Sequence, residues 1–228
     1  MSAWWTYSLQ DLLLFSPRTY YRLFELYNLE NWPLQWIALG LGIAVLLLWR
    51  LGGKRAGLAL GSLLALSWLW IAWAYHWQQY ASINWAANYF AVAWLFQAVI
   101  MLWAAVRGDF ELTPTYRLHQ GISLLLLLLA MIYPLLAVLQ GRSWAQAEMF
   151  GMMPDPTALA TLAILLRADI RRVKWLFPLP ILWCLISGAT LWTMQSPEFM
   201  LLPIAALMAV GLAIGLAIAE RYSKRKRS

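Results

Sequence analysis

Apolar positions in this chain come in long runs rather than in the period-two alternation of a half-buried strand. Seven runs stand out, at residues 32–49, 56–75, 85–106, 120–139, 156–166, 175–195 and 199–219. A transmembrane helix needs roughly 20 mostly apolar residues, because about 30 Å of hydrocarbon is crossed at about 1.5 Å per residue. Six runs approach or reach that length, and the fifth is visibly short.

The stretch before the first run has a different pattern. Ser16-Pro17 has the form of an N-cap followed by a first-turn proline. After it, Tyr20, Leu23, Phe24 and Tyr27 recur at i, i+3, i+4 and i+7, while Arg18, Arg22 and Glu25 share another face. That amphipathic pattern predicts a helix lying at the outer membrane surface, either as a passive anchor or as a lid over an outward-facing cavity. No basic residue precedes Asp11 and the apolar run 12–15 is short, so these residues do not read as a cleavable signal peptide.

Basic residues fall in every second gap between the runs. Arg50, Lys54 and Arg55 follow the first; Arg107 and Arg117 follow the third; Arg167, Arg171, Arg172 and Lys174 follow the fifth. Arg221, Lys224, Arg225, Lys226 and Arg227 follow the seventh. Only Arg18, Arg22 and Arg142 of the 17 lie on the other side. The positive-inside rule then puts the C-terminus in the cytoplasm and the N-terminus outside. It also requires the short fifth run to cross, since six crossings would export the basic tail. The expected fold is an all-α membrane protein. It has an N-terminal interfacial segment (1–31), a seven-transmembrane-helix bundle (32–219) and a basic cytoplasmic tail (220–228).

Composition agrees with that class. Hydrophobic residues make up 63% of the chain and charged residues 12%, against roughly 25% charged in a soluble domain. The net charge of +7 is thus a topology signal and points to no nucleic acid. The tail, Arg221 to Arg227, reads as a contact for anionic lipid headgroups, worth about 1 kcal/mol per basic residue. The single cysteine, Cys184, forms no internal disulfide.

Candidate chemistry concentrates at the fifth run. Pro154 lacks an amide donor and disfavours helix through Met153, while Asp155-Pro156 looks like a capping carboxylate and a first-turn proline. A helix starting at Pro156 has about 17 Å of apolar length before Arg167. It crosses only by letting Arg167 snorkel or by starting below the surface, with 149–154 dipping into the bundle as irregular backbone. Such interrupted helices hold substrates in many transporters. The other reading is an ordinary capped helix at the interface. Near the same side lie His76, Gln78, Gln79, Asn84, Asn88, Glu148 and Glu198, while Gln97 sits deep enough to need an interhelical hydrogen bond.

Absences narrow the classes. No acidic or basic residue lies centrally in any run, which disfavours ion coupling unless Asp155 is drawn inward. No lysine lies in a run, so a retinal Schiff base is excluded. The histidines, His76 and His119, fall at opposite ends, so no multi-histidine zinc site is expected. Met149, Met152 and Met153 are thioethers that suit Cu(I) but equally fill gaps; no metal or other cofactor is expected. Gly-x-Ser-x-Gly is absent and Ser62 has no histidine at its depth, so no catalytic constellation is found. Trp68, Trp70 and Trp73 sit deep, for packing or for lining a cavity. Gly57–Gly61 and Gly211–Gly215 permit close helix contact, within the bundle or with a second copy.

At Trp4, Trp5, Thr6 and Tyr7, at FSPRTYYRLFELYN (15–28) and at FGMMPDPTALATL (150–162), the chain resembles a bacterial inner-membrane protein family of unknown function. Members of that family are sometimes labelled permeases of the major facilitator type. The resemblance implies a multi-pass protein of the cytoplasmic membrane and supplies no reaction or substrate. Two six-helix halves, as the facilitator label requires, do not fit seven runs. The motifs coincide with the amphipathic segment and the interrupted fifth run. An outward-facing pocket is therefore expected between them, involving Arg18, Arg22, Phe150, Gly151, Asp155 and Thr157. Two functions stand: a small-solute transporter or permease-like protein, with water reaching Asp155 from outside, and a non-transporting scaffold or subunit with a dry bundle. The partners these imply are the lipid bilayer, a small solute, a second copy or another membrane component.

Overall fold

The computed structural model describes residues 14–112 and 116–225, with side chains through 215. Trp4 to Tyr7, Lys226 and Arg227 lie outside the described residues, and Arg221, Lys224 and Arg225 are placed by their backbone only. The fold is helical, and among the described residues β pairing is confined to isolated bridges. In chain order the helices are α1 (Pro17–Glu30), α2 (Leu34–Leu51), α3 (Gly53–Trp70), α4 (Ala87–Val106) and α5 (Arg117–Ile132). They continue as α6 (Pro134–Leu139), α7 (Pro154–Arg167), α8 (Ile170–Val173), α9 (Pro178–Thr193) and α10 (Leu201–Arg225). α3 runs on through wide π-type turns over Ile71–Gln79.

Every expected apolar run is mainly helical. Among the described residues three helices are long and apolar enough to cross a membrane, over Leu34–Leu51, Gly53–Ser82 and Ala87–Val106. A fourth qualifies if Ile170–Leu176 and Pro178–Thr193, bent by 47°, are one span. The fourth run is interrupted between α5 and α6, because Pro134 brings no amide to the helical ladder. In α1, Ser16 Oγ accepts from the Thr19 amide at 3.2 Å and Pro17 opens the helix, as its sequence indicates. The expected apolar face is the buried one: Tyr20, Leu23, Phe24 and Tyr27.

Loops from alternate gaps meet at two ends of the bundle. At the basic end the Gly53 amide donates to Leu112 O at 3.1 Å, and Leu112 also bridges to Ala168. Arg107 and Arg172 both approach Asp109 there. At the other end α1 meets the 140–153 loop, and Arg142 pairs with Glu198 at 3.3 Å.

The short fifth run forms the centre of the bundle. All fourteen residues of α7 are buried, and α3, α5, α9 and α10 pack around it. Ala158, Ala160 and Ala163 let neighbours approach closely, which is how helices gain packing energy where lipid offers no hydrophobic drive. Its hydroxyls are engaged: Trp68 Nε1 donates to Thr161 Oγ1 at 3.0 Å, and Thr161 donates to Thr157 O at 2.7 Å. Trp68 packs rather than lining a void, stacked on Trp94 with centroids 3.4 Å apart. Gln97 donates across helices to Leu176 O at 2.8 Å. A Cβ at Gly57 would lie 2.1 Å from Phe110 O, so this glycine pair serves contact inside the bundle. At Gly211 and Gly215 an added Cβ meets open space.

Candidate functional site

The site is built on irregular backbone. Residues 147–153 are non-helical, and all but the half-buried Met149 are buried. Met152 and Met153 donate their amides to Met149 O at 3.2 and 3.0 Å, turning the chain through Gly151 at φ +79°. An added Cβ at Gly151 would also meet Ser67 Oγ at 3.3 Å. Thr157 ties this turn to α7. Its hydroxyl accepts from the Gly151 amide at 2.9 Å and donates to Met153 O at 2.7 Å.

Asp155 corrects the sequence reading. The helix begins at Pro154, its N-cap is Met153, and no side chain caps it. Thr157 has taken the local amide, and the Asp155 carboxylate turns outward from its own helix axis to the neighbours. It accepts from Ser187 Oγ at 2.7 Å, Trp183 Nε1 at 2.8 Å and Tyr133 Oη at 3.2 Å. Three donors from α5–α6 and α9 satisfy a carboxylate that is almost fully buried.

Other polar groups nearby are not satisfied. His76, fully buried in the π-type turns, presents two ring nitrogens without a partner. Its ring lies 5.0 Å from that of Trp183, edge-on, with Tyr75, Tyr80 and Phe90 around it. Glu148 is buried with Oε2 unpartnered, and Arg142 Nη1 and Glu198 Oε2 likewise lack partners. Burial, and then the charge of Asp155, hold the Glu148 carboxyl well above the usual carboxylate range, against the pull of Arg142.

α1 is clamped over this centre. Tyr27 Oη donates to Met152 O at 3.0 Å and accepts from Trp70 Nε1 at 2.7 Å. Asn28 Nδ2 donates to Ala145 O and Ala147 O at 2.8 and 2.9 Å, and Gln35 Nε2 donates to Asn28 O at 2.7 Å. The Arg142 guanidinium stacks 4.1 Å over the Tyr21 ring, whose hydroxyl hydrogen-bonds Ser196.

Of the six residues expected to share a pocket, Phe150, Gly151, Asp155 and Thr157 are brought together by the turn and α7. Arg18 and Arg22 are not; both are exposed on the far face of α1, and Arg22 pairs with Glu25. Tyr133, Trp183, Ser187, Tyr27 and Asn28 also belong to the site, brought there by the fold. A signal existed for two of them, since Trp183 and Ser187 are i, i+4 donors on one face of an otherwise apolar run. Among the described residues no group of three or more His, Cys, Asp or Glu is placed to hold a metal.

The chain belongs to a family of unknown function, DUF6064, whose profile matches residues 18–224. Both longer motifs, 15–28 from Arg18 onward and all of 150–162, fall inside the match. No curated protein and no solved structure matches the chain.

Proposed function

We propose that this chain is a seven-crossing protein of the bacterial inner membrane, N-terminus outside and C-terminus cytoplasmic, that admits a small polar solute to the centre around Glu148 in a permease-like manner. The observation that carries the reading is a set of buried side-chain atoms without protein partners: Glu148 Oε2, Glu198 Oε2 and Arg142 Nη1 around the Arg142–Glu198 pair, and, beside Trp183, both nitrogens of His76. Leaving a buried donor or acceptor unpaired costs about 1–3 kcal/mol. A solute bearing both a donor and an acceptor offsets the cost, with its donor on the carboxyl oxygens of Glu148 and Glu198 and its acceptor on Arg142. The meeting of alternate loops at opposite ends supports seven crossings, and the basic residues at one end support the orientation. No catalytic role enters this reading.

The scaffold reading draws on a specific observation too: Asp155 is fully satisfied by protein donors, as in a dry structural core. Thiol labelling separates the two without knowledge of the solute. In a Cys184→Ala background, Glu148→Cys and Arg18→Cys are exposed separately to a membrane-impermeant maleimide added outside sealed cells. Permease-like access predicts labelling at both positions. Labelling at Arg18→Cys alone identifies a sealed centre and overturns the solute reading; labelling of neither from outside overturns the orientation.

A further inference from the structure

We infer that a groove beside α2 holds one acyl chain of a phospholipid whose head carries a cationic amine, with that amine seated among three tryptophans. The inference rests on the membrane-spanning reading and is independent of any solute at Glu148. Two recesses lie between α2 and the α5–α6 junction, of about 500 and 230 Å³. They share Leu39, Met131, Pro134 and Met149, and so form one continuous groove. It runs along α2 from Gln35 to Leu46, about 16 Å at the helical rise. The interruption at Tyr133-Pro134 creates it, because α6 restarts the helix where α5 ends.

Its chemistry changes along its length. The deep end offers only apolar side chains, Ile43 and Leu46 among them. The mouth is lined by Trp32, Trp36 and Trp144, all more than half exposed. No basic residue lines either recess. Tryptophan faces attract ammonium groups, quaternary ones included, and tryptophan concentrates at the headgroup level of membranes. An elongated apolar slot with a cation-attracting aromatic mouth therefore matches a zwitterionic phospholipid. A volume of about 500 Å³ is that of a ligand site, and α2 itself is largely exposed, with 22% of it buried. The slot is thus open sideways, where lipid would enter.

The test uses purified full-length protein in detergent, with added phosphatidylethanolamine, phosphatidylcholine or phosphatidylglycerol of identical chains. Thermal unfolding is followed by tryptophan fluorescence. The two amine-headed lipids are expected to raise Tm by about 3 °C more than phosphatidylglycerol. Leu39→Trp, which fills the slot, should abolish that difference, and Trp36→Leu with Trp144→Leu should halve it or more. Equal shifts with all three lipids overturn the inference, as does a difference that survives Leu39→Trp. If Leu39→Trp instead lowers the mass of the particle by one chain, the occupant is a second copy and the lipid assignment is wrong. Release of the protein from membranes by alkaline carbonate would overturn the membrane reading itself, an outcome distinct from equal lipid shifts.

Discussion

α2 and α7 invert the usual relation between hydrophobicity and burial. α2 is among the most apolar helices, with a mean hydropathy of 1.8, yet 22% of it is buried. α7 carries an aspartate, two threonines and an arginine in fourteen residues, and all of them are buried. In water the assignment would be reversed. In a bilayer the apolar helix can face lipid at no cost, and the helix with small and polar residues gains most from protein neighbours. The difference shows that hydropathy alone does not say which of these helices is central.

The contrast is broken most severely at Asp155. Asp155→Ala would leave Tyr133, Trp183 and Ser187 with buried unpaired donors and is expected to cost about 1–3 kcal/mol for each donor that finds no other acceptor. Asp155→Asn, which keeps the acceptor, should cost less. Thermal unfolding in detergent checks both, and equal stability of Asp155→Ala and wild type would show that the triad of donors contributes little. A paired substitution sharpens the contrast. Leu162→Ala in α7 is expected to lose about 2–5 kcal/mol as a core truncation. Leu47→Ala in α2, where the side chain is exposed, should change stability by about 0.5 kcal/mol or less. Similar losses at the two positions would contradict the asymmetry.

The smallest effect concerns pH. Because burial raises the Glu148 carboxyl above its unfolded value near 4.3, its neutral form favours the folded state. The stability it contributes is fully present below that unfolded value and is lost as pH rises through the folded one. Wild type should therefore lose stability as pH rises from the ordinary glutamate range, and Glu148→Gln should flatten that slope. An identical slope in Glu148→Gln would assign the dependence to other groups.

Much of this was legible in the residues themselves. The cap at Ser16-Pro17, the buried stripe from Tyr20 to Tyr27, the helical runs and the break before Pro154 all follow from local rules of backbone and periodicity. The fifth run is too short for an ordinary crossing, and that is visible in the sequence. What its shortness meant could not be read locally. A run of 11 apolar residues is equally a strained crossing or a core helix, and only the packing of α3, α5, α9 and α10 decides that it is central. Arg18 and Arg22 illustrate the opposite failure. Their motif is real, but its inner face is aromatic, and the arginines are the face that the fold leaves outside.

By itself, then, the sequence determined helical class, alternation of charged ends and the place where regular backbone stops. Those properties depend on side-chain period, proline geometry and charge, each readable within a few residues. Tertiary structure alone decided that Thr157, not Asp155, serves the turn, and that the carboxylate of Asp155 answers to Tyr133, Trp183 and Ser187. It also decided which buried groups stay unpaired and that a groove opens beside α2. The physical reason is that hydrogen-bond satisfaction in a low-dielectric interior is settled between segments, and partners 22 to 32 positions apart leave no periodic trace in the chain.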